Sequence, residues 1–212
     1  MIKALLYLGT IIAALISIVW IRKRGNKSNT NSKWKVAVVI GPGGHAREMR
    51  DIMKSLPNRC STLVYIVGND KDVATERLIH QLSQSVETDV SINQQIYSLP
   101  VPKSHRESYT QAAIKGISSF IKSLNMLYTE QPDLIITNGP GIAVPICFAA
   151  TVLNLIFRRN IKLIYIESMC RVEDLSFTGK LLYPVVHTLV VMWPHLSQKW
   201  PGVTYLGTIK TL

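Results

Sequence analysis

A run of five apolar residues, Val36-Ala37-Val38-Val39-Ile40, ends at Gly41-Pro42-Gly43-Gly44-His45 and is followed by helical periodicity from Ala46 to Leu56. No polar residue alternates through that run, so both of its faces are buried, as in a strand of a parallel sheet. The unit then repeats along the chain. Leu63 to Val67 stops at Gly68-Asn69-Asp70, and Asp70 to Ser83 reads as a helix. Ser85 to Gln95 is polar and reads as a loop, and Ile96 to Leu99 is a short strand before Pro100 and Pro102. Residues 105–128 carry apolar positions at helical spacing, among them Ile114, Ile117, Phe120, Ile121, Leu124 and Leu127. Leu134 to Thr137 runs into Asn138-Gly139-Pro140-Gly141, and Leu163 to Ile166, Thr188 to Trp193 and Tyr205-Leu206-Gly207 complete the series. Strands alternating with helices predict an α/β domain: an open, mostly parallel sheet with helices on both faces.

Two uncharged stretches need their own reading. Ala4 to Ile21 is 18 residues without a charge, close to the roughly 20 that cross a hydrocarbon core, with Tyr7 and Trp20 near its ends. Arg22-Lys23-Arg24 follows it as a stop-transfer flank and no A-x-A-like site does, which favours an uncleaved anchor over a signal peptide. Ile142 to Phe157 is uncharged too, but Pro145 and Asn154 interrupt it and it lies between two strands. A buried crossover helix accounts for that position better than a second span.

The charge supports this division. The 212-residue chain carries 24 Lys plus Arg against 13 Asp plus Glu, a formal net charge of +11, which at first suggests nucleic acid. Seven of the basic residues, Lys3, Arg22, Lys23, Arg24, Lys27, Lys33 and Lys35, lie before residue 36, where there is no acid, so residues 36–212 carry only +4. The cluster lacks the interleaved aromatics of a nucleic-acid stacking surface. It reads as an orientation signal that holds the following domain on the cytosolic side and attracts anionic headgroups. The expected organisation is an anchor over 1–21, a basic polar linker over 22–33 and one domain over 34–212. Three widely spaced cysteines, Cys60, Cys147 and Cys170, form no C-x-x-C pair, so neither a metal knuckle nor a redox couple is expected.

In a parallel sheet, ligands sit at the carboxyl ends of the strands. Three such ends hold unusual chemistry. Gly41-Pro42-Gly43-Gly44-His45 offers backbone N–H groups and a helix start to an anion, and His45 offers an imidazole as acid, base or donor. The plain alternative is a tight turn with His45 capping it or solvated. The same run fits G-x-G-x-x-G/A through Gly41, Gly43 and Ala46, with Asp70 downstream, so a dinucleotide-binding module stays open. Asn138, Gly139 and Gly141 form a second loop able to bind a sugar or phosphate, or simply to turn the chain. In the third, Glu167, Ser168, Cys170 and Arg171 share six residues; Glu167 and Arg171 either line a cleft or pair with each other. Cys170 has neither an assigned base nor an oxyanion motif, so it is not read as a nucleophile.

Together these motifs are recognisable. Gly41-Pro42-Gly43-Gly44-His45 with Glu48, Thr137-Asn138-Gly139-Pro140-Gly141 with Val144-Pro145, and Tyr165 to Val172 occur in order. They continue through Leu175 to Pro184 and Trp193-Pro194. The chain resembles the membrane-anchoring subunits of the two-part UDP-N-acetylglucosamine transferase of the dolichol-linked oligosaccharide pathway, from the anchor to its C-terminus. The resemblance implies a Rossmann-like, acceptor-side half of a GT-B glycosyltransferase, with a partner subunit supplying the UDP-sugar-binding half. The implied reaction adds a β1,4-linked GlcNAc to dolichyl-diphosphate-GlcNAc on the cytosolic face of the endoplasmic reticulum, with no cofactor or metal.

By similarity to the related one-chain bacterial enzyme that glycosylates a lipid-linked peptidoglycan precursor, Gly43, Gly44 and His45 would face the lipid diphosphate or the acceptor hydroxyl. His45 would then be the base, with Glu167 beside it. Gly41, Asn138, Gly139, Gly141, Ser168 and Arg171 would bind acceptor or phosphate, Arg171 through a charge-assisted bond. Pro42 departs from the family, which carries Ser or another small polar residue there, so one hydroxyl and one N–H are missing from that position. The resemblance also favours partner contact by Tyr205, Leu206, Ile209 and Leu212, where residues alone suggest only a final strand and a tail. About 177 residues after the linker are too few for two Rossmann-like domains of ordinary size, which weighs against a self-sufficient transferase.

Overall fold

The computed structural model describes residues 33–53, 60–68, 77, 93–101 and 109–207. The expected anchor over 1–21 lies outside the described residues, as do nearly all of the linker, most of the helix expected over 70–83, and residues 208–212.

Among the described residues seven strands form one sheet: β1 (Trp34–Ile40), β2 (Cys60–Gly68), β3 (Asn93–Leu99), β4 (Leu134–Thr137), β5 (Lys162–Ile166), β6 (Thr188–Val191) and β7 (Thr204–Tyr205). Their order is β3-β2-β1-β4-β5-β6-β7 and every pairing is parallel, so the expected mostly parallel sheet is entirely so among the described residues. Val38 at the centre of β1 lies opposite Tyr65 on one side and Ile136 on the other. The chain steps outward from β1 to β3 and then returns to place β4 on the far side of β1. That reversal opens a crevice at the carboxyl ends of β1 and β4.

Among the described residues five helices accompany the sheet: α1 (Gly44–Met53), α2 (Tyr109–Glu130), α3 (Ala143–Ile156), α4 (Phe177–Leu182) and α5 (Pro194–Lys199). The two-residue period of the strands splits the core. Val36, Val38 and Ile40 join Leu63, Tyr65 and Val67 under Ala46, Met49 and Met53 of α1. Ala37, Val39, Val64 and Ile66 face the opposite way, with Leu127 of α2 and Ile146, Ala150 and Leu153 of α3. Burial on both faces is why β1 has no polar alternation.

The second uncharged stretch is the buried crossover helix α3. Its 14 residues are too few for a span, and among the described residues no helix is long and apolar enough to cross a membrane. Pro145 lies in the first turn, where its missing N–H costs no helical bond. Asn154, which interrupts the apolar run, donates from Nδ2 to the Ile161 carbonyl (2.8 Å) and accepts from the Ile161 N–H (2.9 Å). A polar residue in that helix thus fixes the entry to β5.

Two expectations are corrected. The polar loop expected to run through Gln95 gives way to strand at Asn93, because Thr62, Leu63 and Val64 of β2 pair with Asn93, Gln94 and Gln95. On a sheet edge the backbone ladder is satisfied from one side while polar side chains stay in water, so polarity there does not exclude a strand. The helix α1 begins at Gly44, two residues before its expected start. Neither α4 nor α5 was expected; each has six residues, too few to display a helical period, although Ser176 caps α4 by accepting from the Gly179 N–H (2.9 Å).

At the amino-terminal edge of the sheet, Glu130 closes α2 and is nearly buried, accepting from Lys35 Nζ (2.6 Å) and from the Tyr97 hydroxyl. Burial would raise its pKa, but the hydrogen bonds from Lys35 and Tyr97 outweigh that and hold it below the ordinary 4.5. A depressed carboxylate stabilises the fold fully above its unfolded value and loses that contribution as pH falls through the lowered one. Glu130→Gln is therefore expected to cost about 1–2 kcal/mol at neutral pH and to flatten the loss of melting temperature below about pH 4.5. Melting curves across that range check both; an unchanged acid limb would contradict the assignment.

Candidate active site at the carboxyl ends of β1, β4 and β5

Three loops meet where the strand order reverses. The β1 loop places Gly43 at φ 63° and starts α1 at Gly44; both glycines are exposed, and of the first-turn N–H groups that of Ala46 donates to the Gly43 carbonyl (3.2 Å). Gly41 is buried against Pro140 of the β4 loop. Gly139 sits at φ 106°, a conformation open to glycine and closed to most L-residues. A Cβ there would stand 3.1 Å from the Tyr165 hydroxyl and 3.2 Å from His45 Cε1, so the three strand ends interlock around this glycine. Gly141 is exposed at the far side of the same loop.

The polar groups converge on the same junction. Asn138 is buried; its Nδ2 donates to the His45 carbonyl (2.6 Å) and, at 3.5 Å, to Glu48 Oε2. Among the described residues Asn138 Oδ1 and His45 Nδ1 have no hydrogen-bond partner, although Nδ1 lies 3.8 Å from Glu48 Oε2. The other Glu48 oxygen, Oε1, accepts from the Ser168 hydroxyl (2.8 Å) and the Met169 N–H (3.3 Å). Glu48 is the functional group that motif reading left without a role. Its i+3 position from His45 on α1 was the available signal, since such residues are neighbours on a helix surface.

Glu167 does not line the cleft. It continues the inward parity of Leu163 and Tyr165 and is only 2% exposed. Its Oε2 accepts from the Ser176 N–H (2.8 Å) and hydroxyl (3.0 Å), and its Oε1 from the Ser168 N–H (3.2 Å) and the Tyr165 hydroxyl (3.4 Å). The carboxylate pins both ends of the 168–176 loop. Burial first, and the Glu167 charge next, push the Tyr165 phenol well above its ordinary pKa, so it stays a neutral donor.

Arg171 and Glu167 do not pair. Among the described residues the exposed Arg171 guanidinium has no ion-pair partner, and it lines a cleft of about 660 Å³ with Val172, Asp174, Phe177 and Lys180. From α5 and the residues flanking it, Trp193 Nε1 donates to the Met169 carbonyl (2.9 Å), Trp200 Nε1 to Asp174 Oδ1 (2.9 Å) and Lys199 Nζ to the Glu173 carbonyl (3.3 Å). Lys180, at 2.6 Å, and then Trp200 hold the Asp174 carboxyl far below its usual range. Cys170 is exposed on the same loop with no base assigned to it, and no group of metal-ligating residues occurs among the described residues.

Tyr205 and Leu206 are exposed at the β7 edge, whereas Ile209, Leu212 and Asp70 lie outside the described residues. The junction thus combines backbone donors with an imidazole beside a carboxylate, while the Arg171 guanidinium lies in the adjoining cleft of the β5 loop. That set suits an anionic substrate from which a proton is taken.

The sequence compares with known proteins in the same sense. Residues 36–209 match the family model described as oligosaccharide biosynthesis protein Alg14 like. The UDP-N-acetylglucosamine transferase subunit ALG14 of Homo sapiens is 29% identical over 204 residues, covering 95% of this chain and 94% of its own length. The Schizosaccharomyces pombe subunit alg14 is 30% identical, with 96% of this chain and 98% of the relative covered. Among solved structures, MurG of Acinetobacter baumannii superposes with a TM-score of 0.56 at 17% identity, over 76% of this chain and 42% of that one. The last likeness is one of fold alone.

Proposed function

From the premise that the chain belongs to the Alg14-like family of UDP-N-acetylglucosamine transferase subunits, we propose that it is the membrane-anchoring, acceptor-side half of a two-subunit GT-B enzyme. Its partner binds UDP-GlcNAc, and the pair adds the second, β1,4-linked GlcNAc to dolichyl-diphosphate-GlcNAc at the cytosolic face of the endoplasmic reticulum. The observation that supports this most is the junction of the three loops, where His45, Asn138 and the β1-loop glycines meet at the strand-order reversal. The apolar run before Arg22 supports the anchoring part.

The chemistry follows from the groups present. First-turn N–H groups of α1 and the Arg171 guanidinium bind the diphosphate, while Asn138, Gly139, Gly141 and Ser168 shape the wall around the acceptor sugar. The acceptor hydroxyl oxygen attacks C1 of the donor sugar and forms the new C–O bond. The bond from C1 to the UDP oxygen breaks, and UDP leaves with its electron pair. The hydroxyl proton passes to His45. Glu167 acts through the loop it pins and touches no substrate. No second nucleotide is needed, so the dinucleotide-binding alternative has no support beyond the Gly41, Gly43 and Ala46 pattern.

The test is transfer from UDP-GlcNAc to phytanyl-diphosphate-GlcNAc by the full chain, with and without the partner subunit. Product only with both is the expected outcome. Transfer by the chain alone would make it a self-sufficient enzyme, and NADH binding without transfer a dinucleotide module. Removal of residues 208–212 is expected to release the partner in a pull-down, since Tyr205, Leu206, Ile209 and Leu212 form the proposed contact; retained binding would refute that contact.

A further inference from the structure

We infer that Glu48 is the positioning residue of this site: one carboxylate joins the three strand-end loops and orients His45 for proton transfer. The inference rests on the acceptor-side reading above and extends it to a residue with no role there. Its two oxygens are divided between neighbours. Oε1 holds the β5 loop through the Ser168 hydroxyl (2.8 Å) and the Met169 N–H (3.3 Å). Oε2 faces the β4 loop through Asn138 Nδ2 (3.5 Å) and the β1 loop through His45 Nδ1 (3.8 Å).

Two observations separate this arrangement from an ordinary surface glutamate. Glu48 is only about a quarter exposed, and among the described residues no Lys or Arg pairs with it; the imidazole, at 3.8 Å, does. His45 Nδ1, in turn, is buried without a hydrogen-bond partner, which carries a cost unless a partner closes on it. A carboxylate facing Nδ1 favours the tautomer protonated there and stabilises the imidazolium that forms when Nε2 takes a proton. Hydrogen bonds of this kind are often long in the unliganded state and tighten once substrate is bound. The same carboxylate grips Ser168 and Met169, so substrate contacts on the β5 loop and the aim of the base are coupled through one group.

The test is kinetic and uses the full chain with its partner. Glu48→Gln preserves the side-chain shape and an oxygen for Ser168 but removes the charge beside His45. The expected result is a fall in kcat on the order of 10- to 100-fold, with the acceptor KM and the melting temperature little changed. In a His45→Ala background the same substitution is expected to add almost nothing, because a residue acting through the imidazole has nothing left to act on. An unchanged kcat, or an equal loss in both backgrounds, would overturn the inference. Should Glu48→Gln melt well below the wild type, Glu48→Asp, which keeps the charge but retracts it, is expected to show a kcat loss that also vanishes without His45. Absence of transfer by the wild-type pair would instead refute the functional reading, and this role with it.

Discussion

His45→Ala is expected to slow sugar transfer by the reconstituted pair by about 10²- to 10⁴-fold, the usual contribution of a positioned general base. The imidazole sits at the second residue of α1, and its carbonyl is held by Asn138 Nδ2 at 2.6 Å. The backbone at this position is therefore fixed independently of the ring. Removing the ring leaves Asn138 and the α1 amides in place, so the acceptor KM should change much less than kcat. Turnover indistinguishable from the wild type would remove His45 from the chemistry.

Glu167→Ala should instead act on stability. It leaves the N–H groups of Ser176 and Ser168 without their acceptor and reduces the Ser176 and Tyr165 hydroxyls to their bond with each other (2.9 Å) in a buried setting. Each buried group left unsatisfied costs about 1–3 kcal/mol, and some will find water, so a total of about 3–5 kcal/mol is expected. For a domain of this size that corresponds to a fall in melting temperature of roughly 6–20 °C. Gly179→Ala approaches the same place from the other side: its Cβ would clash with Glu167 Oε2, an atom held by the Ser176 N–H and hydroxyl. The two substitutions should combine to less than the sum of their separate costs, as residues in direct contact do. Full additivity, or a melting temperature unmoved by Glu167→Ala, would contradict the account of this loop.

Legibility of the fold followed burial. β1, β4 and α3 are apolar because they are covered on both sides, and that signal survives in a single sequence. The first residues of β3 were hidden by Asn93, Gln94 and Gln95, whose strand conformation comes from hydrogen bonds to β2 rather than from side-chain polarity. The six-residue helices α4 and α5 were hidden by their length.

The candidate site divides the same way. Glycines, His45, Asn138 and Arg171 stand out as residue types that strand ends employ for anions and proton transfer. Glu167 stood out for the same reason and belongs elsewhere. An apolar run such as Leu163 to Ile166 does not reveal which parity faces the core, so the direction of the carboxylate after it was open.

The order of strands and glycine-rich turns, the buried crossover helix and the concentration of charge before residue 36 were determined by the sequence, because each is a local pattern of residue types. Tertiary structure alone decided that β4 lies beside β1, and hence that Asn138 reaches the carbonyl of His45 across 93 positions of chain. It likewise decided that Glu48 meets Ser168 across 120, and that Glu167 turns inward while Arg171 stays at the cleft. Adjacency of distant segments is set by strand pairing and helix packing over the whole sheet, and no local run of residues encodes it.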